Sequence, residues 1–179
     1  MADIIKVEIS GLTGVLDALK SLPPEIVSKR GGPVRASLRA AGKPLLDEAK
    51  RNVQRIIDTP NKDGRFVSTG LAVSSLIIKR GRVRGQNGEA VYVTVRRGQN
   101  YGDKMLKRKG RRTESLRAND VLYMLEHGTE TRPPMPWSRP AFDAKKQVAL
   151  DTFSAEMKKR TTAAIKKAEK LAAAKANQP

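Results

Sequence analysis

His127 is the only histidine of the chain, and it directly follows Glu126 in a stretch, Tyr123 to Phe142, that also holds the only tryptophan and four prolines. An imidazole beside a carboxylate is a familiar proton-transfer pair, and both groups ligate metals. The spacing opposes either use. Adjacent residues on a helix or strand point to different faces, no second histidine exists, and no Asp/Glu cluster stands at ligand spacing. A solvated or hydrogen-bonded structural histidine is the expected role. Asp58 and Asp63 flank the loop-like stretch DTPNKDGRF and would suit a metal-dependent nuclease, but they lack a third ligand, and loop aspartates usually cap turns. No GxxxxGK[ST] phosphate loop occurs, and GRVRGQNG has the composition of hairpin punctuation. The expectation is a protein that is not an enzyme, with no catalytic residue, metal or cofactor.

The chemistry that remains is charge. Lys and Arg number 36 against 18 Asp and Glu, a formal net charge of +18 over 179 residues. Such an excess attracts polyanions over much of the surface. Arg96, Arg97, Lys104, Lys107, Arg108, Lys109, Arg111, Arg112 and Arg117 are concentrated in one segment, with Tyr101 alone for stacking, a pattern suited to phosphates and not to base edges. Two readings stay open: a nucleic-acid contact, or a solvated segment that orders only against a protein neighbour. The chain has no cysteine, so neither a disulfide nor a thiolate site is available. MADIIKVEIS lacks the pattern of a signal peptide, and no apolar run approaches a membrane span. A cytoplasmic site of synthesis and no membrane partner are expected.

The elements that position these residues can be read from periodicity. Ile5, Val7 and Ile9 alternate as a strand, and Leu12, Val15, Leu16 and Leu19 come next at helical spacing behind Thr13. Gly31, Gly32 and Pro33 open a longer helix whose apolar face is Val34, Leu38, Ala41, Leu45, Ala49, Val53 and Ile56, with Arg35, Arg39 and Lys43 as a basic stripe elsewhere. Pro44 should kink it. Ser68 or Thr69 should cap a short turn, after which Leu76–Arg84 and Ala90–Arg97 read as a hairpin. Residues 98–119 show almost no apolar periodicity and read as a mobile basic loop. Ser138 and Pro140 start a long helix with Phe142, Ala149, Phe153, Met157, Ala164 and Leu171 on one side. The predicted fold class is α+β: a small antiparallel sheet, made of the N-terminal strand plus the hairpin, packed against two amphipathic helices. One domain, 1–160, is expected, with 161–179 as an Ala/Lys-rich tail that frays or finds a partner.

STGLAVSSL (Ser68–Leu76), LEHGT (Leu125–Thr129) and PPMPWSRPAF (Pro133–Phe142), in that order, resemble the tail-completion, or minor tail, component family of long-tailed bacteriophages and prophages. The resemblance runs from about Gly11 to Lys159; the basic insertion around Lys104 to Arg112 and the Ala/Lys tail lie outside it. It implies a virion structural protein at the head-proximal end of the tail, in a homo-oligomeric, sixfold ring at the neck, made in the host cytoplasm. It implies as partners the tail terminator, tail tube or connector proteins, with possible non-specific contact to genomic DNA. The rival reading is a free basic DNA-binding protein.

The motif residues can be read as shape. Thr69, Gly70 and Leu71 form the Thr-Gly-Leu step into the hairpin. Gly128 turns the chain where a side chain would clash, Thr129 ties the turn through its hydroxyl, and Pro133, Pro134 and Pro136 hold the next segment extended. Trp137 anchors in the domain's own core, the preferred site, or in a neighbouring subunit. Glu126 is expected to bond backbone donors of the turn or Arg139, beside which Pro140 starts the last helix.

Overall fold

The computed structural model describes residues 32–59, 69–82, 89–106 and 114–176. Among them are four helices and two small antiparallel sheets, an α+β fold: α1 (Gly32–Asp58), α2 (Leu71–Ser75), β1 (Leu76–Arg82), β2 (Glu89–Val95), β3 (Asn100–Leu106), β4 (Glu114–Arg117), α3 (Ala118–His127) and α4 (Ser138–Ala176). The expected N-terminal strand and the helix after it lie outside the described residues, as do Ser68, Asp63 and the turn between β1 and β2.

Helix α1 begins at Gly32, with Pro33 in the first turn where its missing N–H has no intrahelical partner, and it continues through Pro44 to Asp58. Ala41, Ala49 and Val53 of the expected face are buried. Gly42 also faces inward; a Cβ there would stand 3.4 Å from Ile78 Cδ1, ordinary van der Waals contact with the hairpin. β1 and β2 pair without interruption from Leu76↔Val95 to Arg82↔Glu89. Alternation therefore puts Leu76, Ile78, Arg80, Val91, Val93 and Val95 on one face, toward α1, and Lys79, Tyr92 and Thr94 on the other.

Helix α4 packs along α1. Asn52 Nδ2 donates to Trp137 O at 3.1 Å and Lys145 Nζ lies 3.8 Å from Glu48 Oε2, so rising numbers on α4 meet falling numbers on α1 and the pair is antiparallel. The hairpin thus rests on α1, and α4 packs on α1 as well. The residues that bury α4 are Ala141, Ala149, Met157 and Thr161. Phe142, expected in the core, is 39% exposed. With Trp137 buried, its neighbour one turn on is Ala141, and Phe142 falls about 100° round the cylinder. At 39 residues against 27, α4 exceeds α1 by about 18 Å, a little over three turns, and it is helical to Ala176.

The segment 98–119 is the main departure from expectation. It is not a structureless loop: β3 and β4 form a second antiparallel pair, and α3 starts at Ala118. The register shifts between Asn100↔Arg117 and Met105↔Ser115, with Gly102 at φ +62°, so the bulge disrupts the alternation by which a strand is recognised. One core joins the elements, made of Ala49, Val53, Ala72, Leu76, Leu122, Trp137 and Ala141.

Candidate functional site

The stretch from Tyr123 to Phe142 is a joint between the end of α3 and the start of α4. Every helix end leaves carbonyls at its C-terminus and N–H groups at its N-terminus without intrahelical partners. Here each helix satisfies the other. Glu126, in the last turn of α3, accepts from Trp137 N at 2.8 Å and Ser138 N at 2.9 Å through Oε2, and from the Ser138 hydroxyl at 2.6 Å through Oε1. In return the Trp137 indole Nε1 donates to Leu122 O at 2.9 Å, and Met135 N donates to Leu125 O at 2.7 Å. Pro133, Pro134 and Pro136 have no N–H, which leaves Met135 as the backbone donor of that run.

Glu126 thus bonds the backbone at the start of α4, reaching Arg139 through its main chain, and not the donors of its own turn. Burial pushes its carboxyl up, but the Ser138 hydroxyl and the backbone N–H groups of Ser138, Trp137 and Arg139 outweigh that and hold it below the usual value. A carboxylate at the positive end of α4 also complements the helix dipole.

Gly128 does what a turn glycine must. At φ +78° and ψ −178° it occupies backbone space that is essentially glycine's alone, and a Cβ would meet Pro134 N at 2.8 Å and Arg132 O at 2.9 Å. Its N–H donates to Met124 O at 2.8 Å, closing α3. Thr129 ties the following turn: its N–H donates to Arg132 O at 2.9 Å, and its hydroxyl accepts from Arg132 N at 3.1 Å. Trp137 lies in the protein's own core, 9% exposed, the preferred of its two expected sites.

Between the helices the joint leaves an open groove of about 580 Å³, lined by Glu126, His127, Pro134, Pro136, Arg139, Pro140 and Asp143. His127 is exposed, its ring 4.4 Å from that of Tyr123, while Glu126 faces α4. Both line the groove, but the Glu126 carboxylate is taken up by donors of α4 while the His127 ring stands beside Tyr123. Asp58 accepts from Gln54 Nε2 at 2.7 Å near the end of α1. Among the described residues no three His, Asp or Glu side chains come together as a metal site, and no helix is long and apolar enough to cross a membrane.

At the Thr-Gly-Leu step, Gly70 and not Thr69 caps α2: it has φ +69°, and Ser74 N donates to its carbonyl at 3.0 Å, while Leu71 is the first helical residue. Arg96 and Arg97 are exposed just beyond β2, and Arg96 N donates to Ser75 O at 2.7 Å. The backbone of Lys104 lies in β3; Lys107, Arg108, Lys109, Arg111 and Arg112 lie outside the described residues. Tyr101, expected as a stacking platform, is partly buried against Ala72; that burial raises its phenol above the usual range, and a bond to the Ala72 backbone offsets part of the rise.

The joint brings together Glu126, Gly128, Thr129, Pro136, Trp137, Arg139 and Pro140, and leaves Thr69, Gly70, Leu71, Arg96 and Arg97 elsewhere. Sequence reasoning missed Asn52, and it read Ser138 as the start of the last helix without its bond to Glu126. Ser138 carried a signal, a hydroxyl residue two before a first-turn proline; Asn52, mid-helix and 85 residues from its partner, carried none. No family model, no curated protein and no solved structure matches this chain.

Proposed function

We propose that the protein is a structural subunit of a tailed-phage virion, assembled as a ring at the head-proximal end of the tail, and that it does no chemistry there. The observation that carries this reading is the joint. The residues that resemble the tail-completion family are engaged in fixing one helix against another: both oxygens of Glu126 hold donors at the start of α4, Gly128 lies where no side chain fits, and Trp137 is tied at its indole and packed in the core. A ring subunit needs a rigid body with two different complementary patches, because heterologous contacts close only by rotation. Large apolar side chains stand exposed on separate elements, Tyr92 on the hairpin and Tyr123, Phe142 and Val148 on α3 and α4, as such patches require.

Deletion of the protein from the parent phage tests the reading. The expected result is separate filled heads and tails, with joining restored by the wild-type chain supplied in trans. Normal yields of joined particles from the deletion would overturn it.

A further inference from the structure

Arg35 and Arg39, one helical turn apart on α1, and Arg80 on β1 rim a groove of about 220 Å³ that is remote in sequence from the joint. Its floor is apolar: Ala36 from the helix, Ile78 and Val91 from the inner face of the hairpin. Among the described residues that line it none is acidic, and the carboxylate of Glu89 is paired with Arg80. Arg80 is fixed in place, its Nε and Nη2 donating to the two oxygens of Glu89 at 3.0 and 2.7 Å. Arg35 and Arg39 form no ion pair with any described residue. Like charges at i and i+4 repel, and here an apolar wall lowers the local screening that would relieve them. The arrangement is one that a bound anion stabilises.

We propose that this groove binds the phosphates of a nucleic-acid strand, without regard to base sequence. Guanidinium groups present paired donors matched to phosphate oxygens, which a lysine ammonium does not. Lys43, exposed a further turn along α1, continues the row, so cations recur every ~6 Å along the helix. A row suits a linear polyanion better than a single carboxylate. Among the described lining residues none is aromatic to stack a base, which leaves the backbone as the target. The site lies on α1 and β1, outside the basic segment 96–117, and its helix residues are the basic stripe that periodicity marks on α1. It stands apart from the virion reading, because a chain absent from particles would still bind.

The test is fluorescence anisotropy of the full chain with labelled mixed-sequence oligonucleotides, single-stranded and duplex, across a salt series. The R35Q/R39Q variant is compared with K158Q/K159Q, which removes the same charge from exposed positions on α4. R35Q/R39Q is expected to bind roughly tenfold more weakly near 0.1 M salt and to flatten the plot of log affinity against log salt by ~1.5, and K158Q/K159Q to lose less than ~threefold. R35K/R39K, which keeps the charge and loses the paired donors, should fall between. Thermal melts establish that each variant is folded; if the double variant is not, R39Q alone at its exposed position is expected to lose about threefold. Equal losses from the two double variants would overturn the proposal in favour of diffuse charge. Binding of polyglutamate as tight as that of the oligonucleotides would overturn it in favour of an acidic protein partner.

Discussion

Glu126 serves α4 although it belongs to α3. Its carboxylate receives two backbone N–H groups and one hydroxyl, at 2.6 to 2.9 Å, at the point where the helix dipole is positive. Because these donors favour the charged form, the folded-state carboxyl titrates below its unfolded value. The stability it contributes is then fully present above the unfolded value and is lost as pH falls through the folded one. Glu126→Gln keeps the shape and removes the charge. Discounted for partial exposure, it is expected to cost about 1 kcal/mol at neutral pH, and the gap between variant and wild-type melting temperatures should close as the solution is acidified through the carboxylate range. A gap independent of pH would mean that the charge is not what matters. The turn at Gly128 and Thr129 was legible in the sequence because its chemistry is local: a glycine, then a hydroxyl three residues before the N–H it accepts. The partners of Glu126 were not, since they lie 11 and 12 residues on, across a run whose path the prolines constrain but do not specify.

Trp137 holds three elements together. Its side chain belongs to one buried cluster with Ala49 and Val53 of α1 and Leu122 of α3, its Nε1 donates to Leu122 O, and its carbonyl accepts from Asn52. Trp137→Phe removes one buried hydrogen bond, orphans the Leu122 carbonyl and leaves a void, which together should cost about 2–3 kcal/mol. At ~2–4 °C per kcal/mol for a chain of this size, a fall of about 4–12 °C in Tm is expected by calorimetry; an unchanged Tm would contradict the anchor. Helix α1 was legible as an element because its apolar positions recur over many turns and its start carries Gly32 and Pro33. β3, β4 and α3 were not. The bulge at Gly102 breaks the two-residue period of the first pair, and β4 is four residues long. Helix α3 spans only ten residues and buries few side chains, although Asp120, which accepts from Arg117 N at 3.2 Å, marks its first turn in the way an acidic cap does. Phe142 was placed on the apolar side by its helical spacing to Ala149 and Phe153, whereas in the first turn of α4 the buried position belongs to Ala141.

At the scale of the molecule, a net charge of +18 separates what is built for shape from what is built for charge. The joint uses its polar groups internally, and the groove on α1 faces outward with Arg35 and Arg39 beside Arg80, which Glu89 holds. Composition made the charge evident, yet not its focus, since Arg35 and Arg39 meet Arg80 only once the hairpin lies on α1. Tyr92, Tyr123, Phe142 and Val148 stand exposed, and under the proposed ring they are the apolar surface offered to neighbouring subunits. The most direct measurement of that claim is quantitative mass spectrometry of purified particles from the parent phage, with antibody labelling to locate the chain. The account predicts a fixed, ring-sized copy number per particle and label at the neck. Absence of the chain from particles, with the protein recovered on intracellular DNA instead, would contradict it.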